Sequence, residues 1–273
     1  MLLAVFQGRA RTLDVDSNLA AIDEAAARAA AAGAGVLLTP ELFPVGYSPE
    51  RIRRELDPAV LPALADRLAG VARGHDVALV YSLPAVQANG NWNITATLVD
   101  RTGTELLRYA KVHLFGPAER EAFAPADQAP AVVDFEGFKT SLLICYDVEF
   151  PEQVRAAATR GAELLLVPTA LGHGYESVPQ VLLRARALES QVAIGYANHC
   201  GPTDGAVNGL GEAGGLAGGS VVVGADGGLL AQAGSGQELI FAEISHDSIQ
   251  RARADVPYLS ERRPDLYTRW EGS

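Results

Sequence analysis

Apolar positions along the chain alternate between two periods. Residues 2 to 7, inside "MLLAVFQGRA", form a continuous apolar run that predicts a first strand. The following "DSNLAAIDEAAARAAAAG" places its apolar residues at helical spacing, with Ser17 able to cap a helix and Gly33 able to end it. "GVLLTP" from Gly35 then predicts a second strand. The same grammar returns later. "FKTSLLIC" from Phe138 predicts a strand, "PEQVRAAATRG" a helix opened by Pro151 and closed by Gly161, and "ELLLVP" from Glu163 a strand. "GAGVLLTPEL" from Gly33 and "GAELLLVPTA" from Gly161 both start Gly-Ala and reach a proline seven residues after the glycine, each behind an alanine-rich helix. This suggests an internal pair of related β-α-β units, a likeness that common α/β grammar can also produce.

Between the two units, "DVALVYSLP", "WNITATLVD" and "ELLRYAK" predict strands separated by the turn-forming "QANGN" and "DRTG". Beyond the second unit come a helix near 178 to 190, the strand "VAIGYAN", a glycine-rich loop from 201 to 219, and the strands "GSVVVG", "GLLAQA" and "LIFAEI". The class is α/β. No linker divides the chain, so residues 1–255 are expected to form a single domain. Residues 256–273 are expected to form an extended C-terminal arm, part of the same domain or a dimer contact.

Composition narrows the partners. The chain has 273 residues, 48% of them hydrophobic and 20% charged, which suits one large core. Its formal net charge of -11, with no basic cluster, argues against nucleic acid and anionic membranes. No run approaches the length of a membrane span, and the apolar start lacks a basic leader and a small-residue cleavage site. Cys145 and Cys200 lie far apart with no C-x-x-C pattern, against a zinc site and against a disulfide framework. A reducing cytoplasm fits this cysteine usage.

Open α/β sheets place ligands at the carboxyl ends of strands. Glu41 follows "VLLTP", Lys111 follows "ELLRYA", and Cys145 follows "TSLLI". Each has an ordinary explanation alone: a helix cap, a surface charge, a small core residue. Together they supply thiol-based acyl transfer. A thiol with a reference pKa of about 8.5 needs a base or cation nearby, and Glu41 can take its proton. Lys111 and the backbone N–H of Tyr146 can stabilise a carbonyl oxygen turning anionic.

"TPELFPVGY", "YAKVHLFGPAE" and "LLICYDVEFPE" resemble, in order and spacing, the Glu, Lys and Cys signatures of the nitrilase superfamily of carbon–nitrogen hydrolases, over essentially the whole chain. The resemblance implies a four-layer α-β-β-α sandwich, a cysteine acyl-enzyme without metal or other cofactor, and homodimers built by pairing sandwiches. It implies Glu41 as general base, Lys111 as oxyanion-stabilising cation, Cys145 as nucleophile, and Glu119 as the second glutamate that positions substrate, in preference to Glu121. Tyr47 and Phe43, on the loop after Glu41, can be core or pocket wall, and the place of that loop at a strand end favours the wall; Thr169 and Ala170 in "PTALGHGY" join Tyr146 and Tyr47 as candidate substrate contacts. At the position four beyond the cysteine, where several branches acting on carboxylate-bearing substrates carry arginine, this chain has Glu149. That acid can attract a substrate amine, or can pair internally with Arg155 or Arg184.

Two other signals carry less. "GLGEAG" from Gly209 satisfies G-x-G-x-x-G but sits in a loop before a strand, where a dinucleotide site needs a strand before and a helix after. His113, His173 and His199 lack a papain-type setting and are given structural roles. The first functional reading is therefore an amidase acting on a small aliphatic primary amide, in a branch similar to aliphatic and ω-amino amidases. A nitrilase or an N-carbamoyl amide hydrolase can use the same residues. A catalytically silent scaffold is the reading from another class, and the joint presence of Glu41, Lys111 and Cys145 argues against it.

Overall fold

The structure is a computed structural model, and it describes residues 1–203 and 215–271. "GLGEAG" and most of the glycine-rich segment lie outside those residues. Strands β1 (Leu2–Gln7), β2 (Val36–Leu38), β3 (Ala78–Val86), β4 (Trp92–Val99) and β5 (Glu105–Ala110) come first, followed by β6 (Val133–Phe135), β7 (Phe138–Leu142), β8 (Leu164–Pro168) and β9 (Ala193–Ala197). Later come the two-residue β10 (Cys200–Gly201) and β11 (Leu216–Ala217), then β12 (Val221–Val223), β13 (Leu229–Gln232) and β14 (Glu238–Glu243). Between them run α1 (Val15–Ala31), α2 (Pro49–Glu55), α3 (Leu61–His75), α4 (Gly116–Ala122), α5 (Pro151–Thr159) and α6 (Leu183–Ser190). The chain closes with α7 (His246–Asp255), α8 (Tyr258–Glu261) and α9 (Pro264–Glu271).

Two six-stranded sheets result, in the orders β14-β1-β2-β3-β4-β5 and β13-β12-β9-β8-β7-β6. Each has a parallel centre, β1-β2-β3 and β7-β8-β9, flanked by antiparallel strands. The continuous apolar runs follow from this: central parallel strands are buried on both faces, and β2 and β8 are buried at every position. Helices α1 and α3 pack together beside the first sheet, and α5 and α6 beside the second, while β1, β2 and β3 meet β8 and β9 across the interior. This is the expected four-layer α-β-β-α arrangement, with β1-α1-β2 and β7-α5-β8 as matching units.

The two sheets pack tightly at Gly195 in β9. A Cβ there would stand 2.7 Å from Leu3 Cδ2 and 3.4 Å from both Leu38 Cδ2 and Leu166 Cδ2. The missing side chain lets leucines of the first sheet close onto the second. Each fully buried leucine contributes about 1.5–3 kcal/mol of hydrophobic stabilisation.

Several local expectations change. Helix α1 starts before Ser17, because the Asp14 side chain is the cap and accepts from the Ser17 backbone N–H at 3.2 Å. Helix α3 was not anticipated, although Leu61, Leu64, Leu68 and Ala72 bury one face at helical spacing. Strand β7 stops at Leu142, before Cys145. Residues 256–271 are not extended: they carry α8 and α9, and Gln191 Nε2 donates to the carbonyls of Ala252 and Val256 at 2.7 and 2.6 Å where the tail begins.

Candidate active site

The expected strand-end residues meet between the carboxyl ends of the sheets. Glu41 lies just past β2, in a turn whose Leu42 has a φ of +53°, and its backbone N–H donates to Thr169 O, just past β8, at 3.2 Å. The turn that carries Glu41 is thereby fastened to the opposite sheet. Lys111 follows β5 directly and its N–H donates to Ile94 O at 2.9 Å. Glu119 stands in the first turn of α4, which brings it back to Lys111.

Cys145 opens a short 3-10 turn, Cys145–Glu149, with a φ of +47°. A non-glycine residue held in this left-handed region costs of order 1 kcal/mol or more, and such strain persists where surrounding structure enforces it. Here the enforcement comes from the Asp147 N–H donating to Ile144 O at 3.0 Å and the Phe150 N–H donating to Asp147 O at 3.2 Å.

Glu41, Lys111 and Glu119 are wholly buried. Lys111 Nζ donates to Glu41 Oε1 at 2.7 Å and to Glu119 Oε1 and Oε2 at 2.8 and 2.9 Å. Glu119 also accepts from Tyr47 Oη at 2.6 Å and from the Phe115 backbone N–H at 2.8 Å. Its lone pairs are therefore nearly saturated. Glu41 Oε2 is different: it is buried without a hydrogen-bond partner of ordinary geometry, and the Cys145 thiol lies close enough to act on that carboxylate as a donor. A buried acceptor left open in this way costs stability and is ready to take a proton.

The electrostatics suit a proton transfer from thiol to carboxylate. Burial pushes Glu41 up to about 7, against the lowering pull of Lys111 and with help from the Glu119 charge. Burial also pushes the Cys145 thiol well up, as does the Glu41 charge, while Lys111 and the backbone of Ala170 act the other way. The two larger effects favour the neutral thiol. Burial would depress the Lys111 ammonium, but the carboxylates of Glu119 and Glu41 outweigh it and hold its pKa well above the usual lysine range. Tyr47 stays protonated, since burial and then Glu119 raise it.

The other candidates take varied places. Ala170 contacts the thiol through its backbone, and the Thr169 hydroxyl bonds to Tyr196 Oη at 3.0 Å. Tyr146 is half-buried in an aromatic wall, 5.0 Å from the Phe115 ring and 4.9 Å from that of Phe150. Tyr47 stands behind Glu119. Phe43 is not wall but core, wholly buried and packed on Phe6 and His199. Glu121 is exposed, which leaves Glu119 as the second glutamate of the cluster.

Glu149 is half-buried, and the expected pairing with Arg155 or Arg184 is absent. Arg155 donates to Glu189 O, and Arg184 Nε to Gly227 O at 2.9 Å. Arg186 Nη2 donates to the Glu149 backbone carbonyl at 2.7 Å. Burial raises the Glu149 carboxyl to about 7, with Lys111 and then Arg186 opposing.

Two supports complete the cluster: His199, in the structural role its sequence setting suggested, and Asp147, whose part the sequence did not suggest. His199 Nε2 is 2.6 Å from the Glu41 backbone oxygen, and burial lowers this imidazole to about 4, so it is the neutral ring that donates there. Asp147, wholly buried two residues after the nucleophile, accepts from Tyr109 Oη at 2.9 Å and from His113. The visible signal was the even spacing of Tyr109 and His113 on either side of Lys111.

Comparison with known proteins agrees with this geometry. The carbon-nitrogen hydrolase family model matches residues 2–254. The E41Q variant of the amidase from Nesterenkonia sp. AN1, with the acetamide moiety of fluoroacetamide covalently added at its active-site cysteine, superposes with a TM-score of 0.90 at 45% identity, covering 99% of this chain and 96% of that one. The C145A variant of that amidase in complex with butyramide gives a TM-score of 0.89 at 45% identity, with coverage of 99% and 97%. The 2-oxoglutaramate amidase of Bacillus subtilis is 31% identical over 242 residues, 86% of this chain and 87% of that protein. With its two packed sheets and its buried Glu-Lys-Glu cluster beside a strained cysteine, the chain belongs to the carbon–nitrogen hydrolase family, within the nitrilase superfamily.

Proposed function

We propose that the protein is an amidase that hydrolyses small aliphatic primary amides to carboxylic acid and ammonia through a Cys145 thioester. One observation carries the reading: a buried lysine ammonium is held between two buried carboxylates, one of which keeps an unpartnered oxygen and interacts with the cysteine thiol. The amidase of Nesterenkonia sp. AN1, which binds butyramide in one variant and takes covalent additions from fluoroacetamide and acrylamide at its active-site cysteine in others, supports the choice of substrate class.

In this mechanism the Cys145 proton passes to Glu41 as Sγ attacks the carbonyl carbon. The oxygen becomes an alkoxide and is met by Lys111 Nζ and the Tyr146 backbone N–H. The C–N bond then breaks while Glu41 returns the proton to the departing nitrogen, releasing ammonia. Water, deprotonated by Glu41, attacks the thioester, and the carboxylic acid leaves with the thiol restored. Glu119 holds Lys111 and positions the amide, with Tyr47, Thr169, Ala170 and Glu149 around it. The scheme draws only on protein groups and needs no cofactor.

A homodimer in a reducing cytoplasm completes the proposal. Val181 and Leu188 are 61% and 43% exposed on one helical stretch, Leu229 and Leu230 are exposed on the edge strand β13, and a working thiol must stay reduced. The single domain of residues 1–255 with its C-terminal segment is the unit proposed to pair. Ammonia release from a panel of short amides, N-carbamoyl compounds and matching nitriles tests the activity. Turnover of nitriles without turnover of amides would replace amidase by nitrilase.

A further inference from the structure

We propose that Asp147 is a positioning residue for acyl transfer, fixing the Lys111 ammonium relative to the Cys145 sulfur. The proposal rests on the amidase reading, since it concerns how that site is assembled. Asp147 lies within the nucleophile turn, two residues past Cys145, and its side chain is wholly buried. Each side-chain hydrogen bond described for it comes from the segment that carries Lys111. Oδ2 accepts from Tyr109 Oη at 2.9 Å, and Oδ1 accepts from the His113 backbone N–H at 2.8 Å and lies 2.9 Å from His113 Nδ1.

Tyr109 and His113 sit two residues before and two after Lys111. One carboxylate therefore grips both flanks of the lysine from a point two residues beyond the nucleophile. A turn-capping aspartate would bond to its own turn; the described side-chain bonds of this one go elsewhere, and the turn is closed by the backbone bonds of Asp147 and Phe150. Burying an ionised carboxylate is costly unless its oxygens are satisfied. The three donors meet that cost, and in doing so they tie together two segments from different sheets.

The donors are themselves fixed. Tyr109 is 4% exposed, and burial, followed by the Asp147 charge, pushes its phenol up, so it remains a donor. The His113 ring stacks on Phe150, centroids 3.8 Å apart, and Phe150 ends the nucleophile turn. Hydrogen bonds and ring stacking thus constrain the same joint. The Lys111 tip is held by Glu41 and Glu119, but where the tip lies relative to the sulfur is set by how the β5 end docks on the Cys145 turn. A misplacement of about 1 Å in such a constellation can cost on the order of a hundredfold in rate.

The test compares two reactions of the same thiol. Hydrolysis of a short amide passes through an oxyanion that needs Lys111, whereas alkylation by iodoacetamide displaces iodide and forms no oxyanion. Asp147→Asn keeps the side-chain volume but replaces one acceptor oxygen by a donor. The expected result is a loss of roughly tenfold to a hundredfold in kcat, with KM and the alkylation rate each changed less than about threefold. If Asp147→Asn fails to fold, Tyr109→Phe removes a single donor while both His113 contacts remain, and should lower kcat roughly three- to tenfold with alkylation unchanged. A kcat within twofold of the unmodified enzyme in a folded variant overturns the proposal. Equal slowing of hydrolysis and alkylation also overturns it, because Asp147 would then serve the thiol alone. An unmodified enzyme that hydrolyses no amide removes the functional reading and this inference together, which distinguishes that failure from the others.

Discussion

The ammonium of Lys111 lies 2.7 Å from Glu41 Oε1, with both side chains wholly buried. Their pairing links the two halves of the proposed chemical step. While Glu41 is ionised, its charge occupies Lys111; once Glu41 has taken the Cys145 proton, the ammonium keeps only Glu119 as counter-charge. Its field then becomes available to the substrate oxygen as that oxygen turns anionic. Proton transfer and oxyanion stabilisation are coupled through one contact.

The acid limb of the pH profile should belong to Glu41, titrating as one unit with Cys145. With Glu41 raised to about 7, kcat/KM for a neutral amide should fall as pH drops below 7, because the base is then already protonated. Stability should move the other way. Between about 4.5 and 7 the folded chain holds a proton at Glu41 that the unfolded chain releases, so this group's contribution to stability declines as pH rises through that window. A rate profile flat from pH 5.5 to 8 would exclude Glu41 as base.

Cys145→Ala should abolish amide turnover at a stability cost of about 1 kcal/mol or less, since only one sulfur's contacts are lost. Cys200→Ala should remain active, because Cys200 is buried in the β10 strand and belongs to none of the contacts made by the Glu-Lys-Glu cluster. Thermal melts with ammonia assays check both. Residual turnover in the first variant would rule out the thioester.

Lys111→Met should be damaging twice. It leaves Glu41 and Glu119 buried without their shared cation, a loss of about 3–5 kcal/mol, and it removes an oxyanion donor, a loss of roughly a hundredfold or more in acylation rate. Restabilisation by lowering the pH, which protonates the stranded carboxyls, would identify the first effect. Denaturant melts at pH 5 and pH 8 provide the comparison.

Glu149 should favour a positive charge on the far end of the substrate. An amide with a distal ammonium should gain in kcat/KM over a neutral amide of equal length as pH rises through about 7, where the carboxyl ionises. Glu149→Gln should flatten that dependence. A ratio already independent of pH in the unmodified enzyme would give Glu149 a purely structural part.

Glu41, Lys111 and Cys145 were legible in the sequence because strand, reactive residue and turn are adjacent in the chain. Each announces itself locally. Asp147 was not, because its partners Tyr109 and His113 lie 38 and 34 residues away and only folding brings them to it. The carbonyl that His199 holds is hidden for the same reason, 158 residues away along the chain. Helix α3 is written in the 3-4 spacing of Leu61, Leu64, Leu68 and Ala72, a local pattern of the same kind as the strand-end residues. Glu149 shows the opposite limit: Arg155 and Arg184 are candidate partners by sequence, yet both guanidinium groups are committed to backbone carbonyls elsewhere.

Glu41 and Lys111 hang from one sheet and Cys145 from the other, and between the sheets lie the leucines that close over Gly195. The distance between the Glu41 carboxylate and the Cys145 sulfur is therefore a readout of how tightly the sandwich is shut. Gly195→Ala would wedge that interior open at one methyl, with Leu3 Cδ2 only 2.7 Å from the added carbon. Turnover in such a variant should fade at denaturant concentrations where circular dichroism still reports intact strands and helices, so that the enzyme's own rate serves as a gauge of inter-sheet spacing.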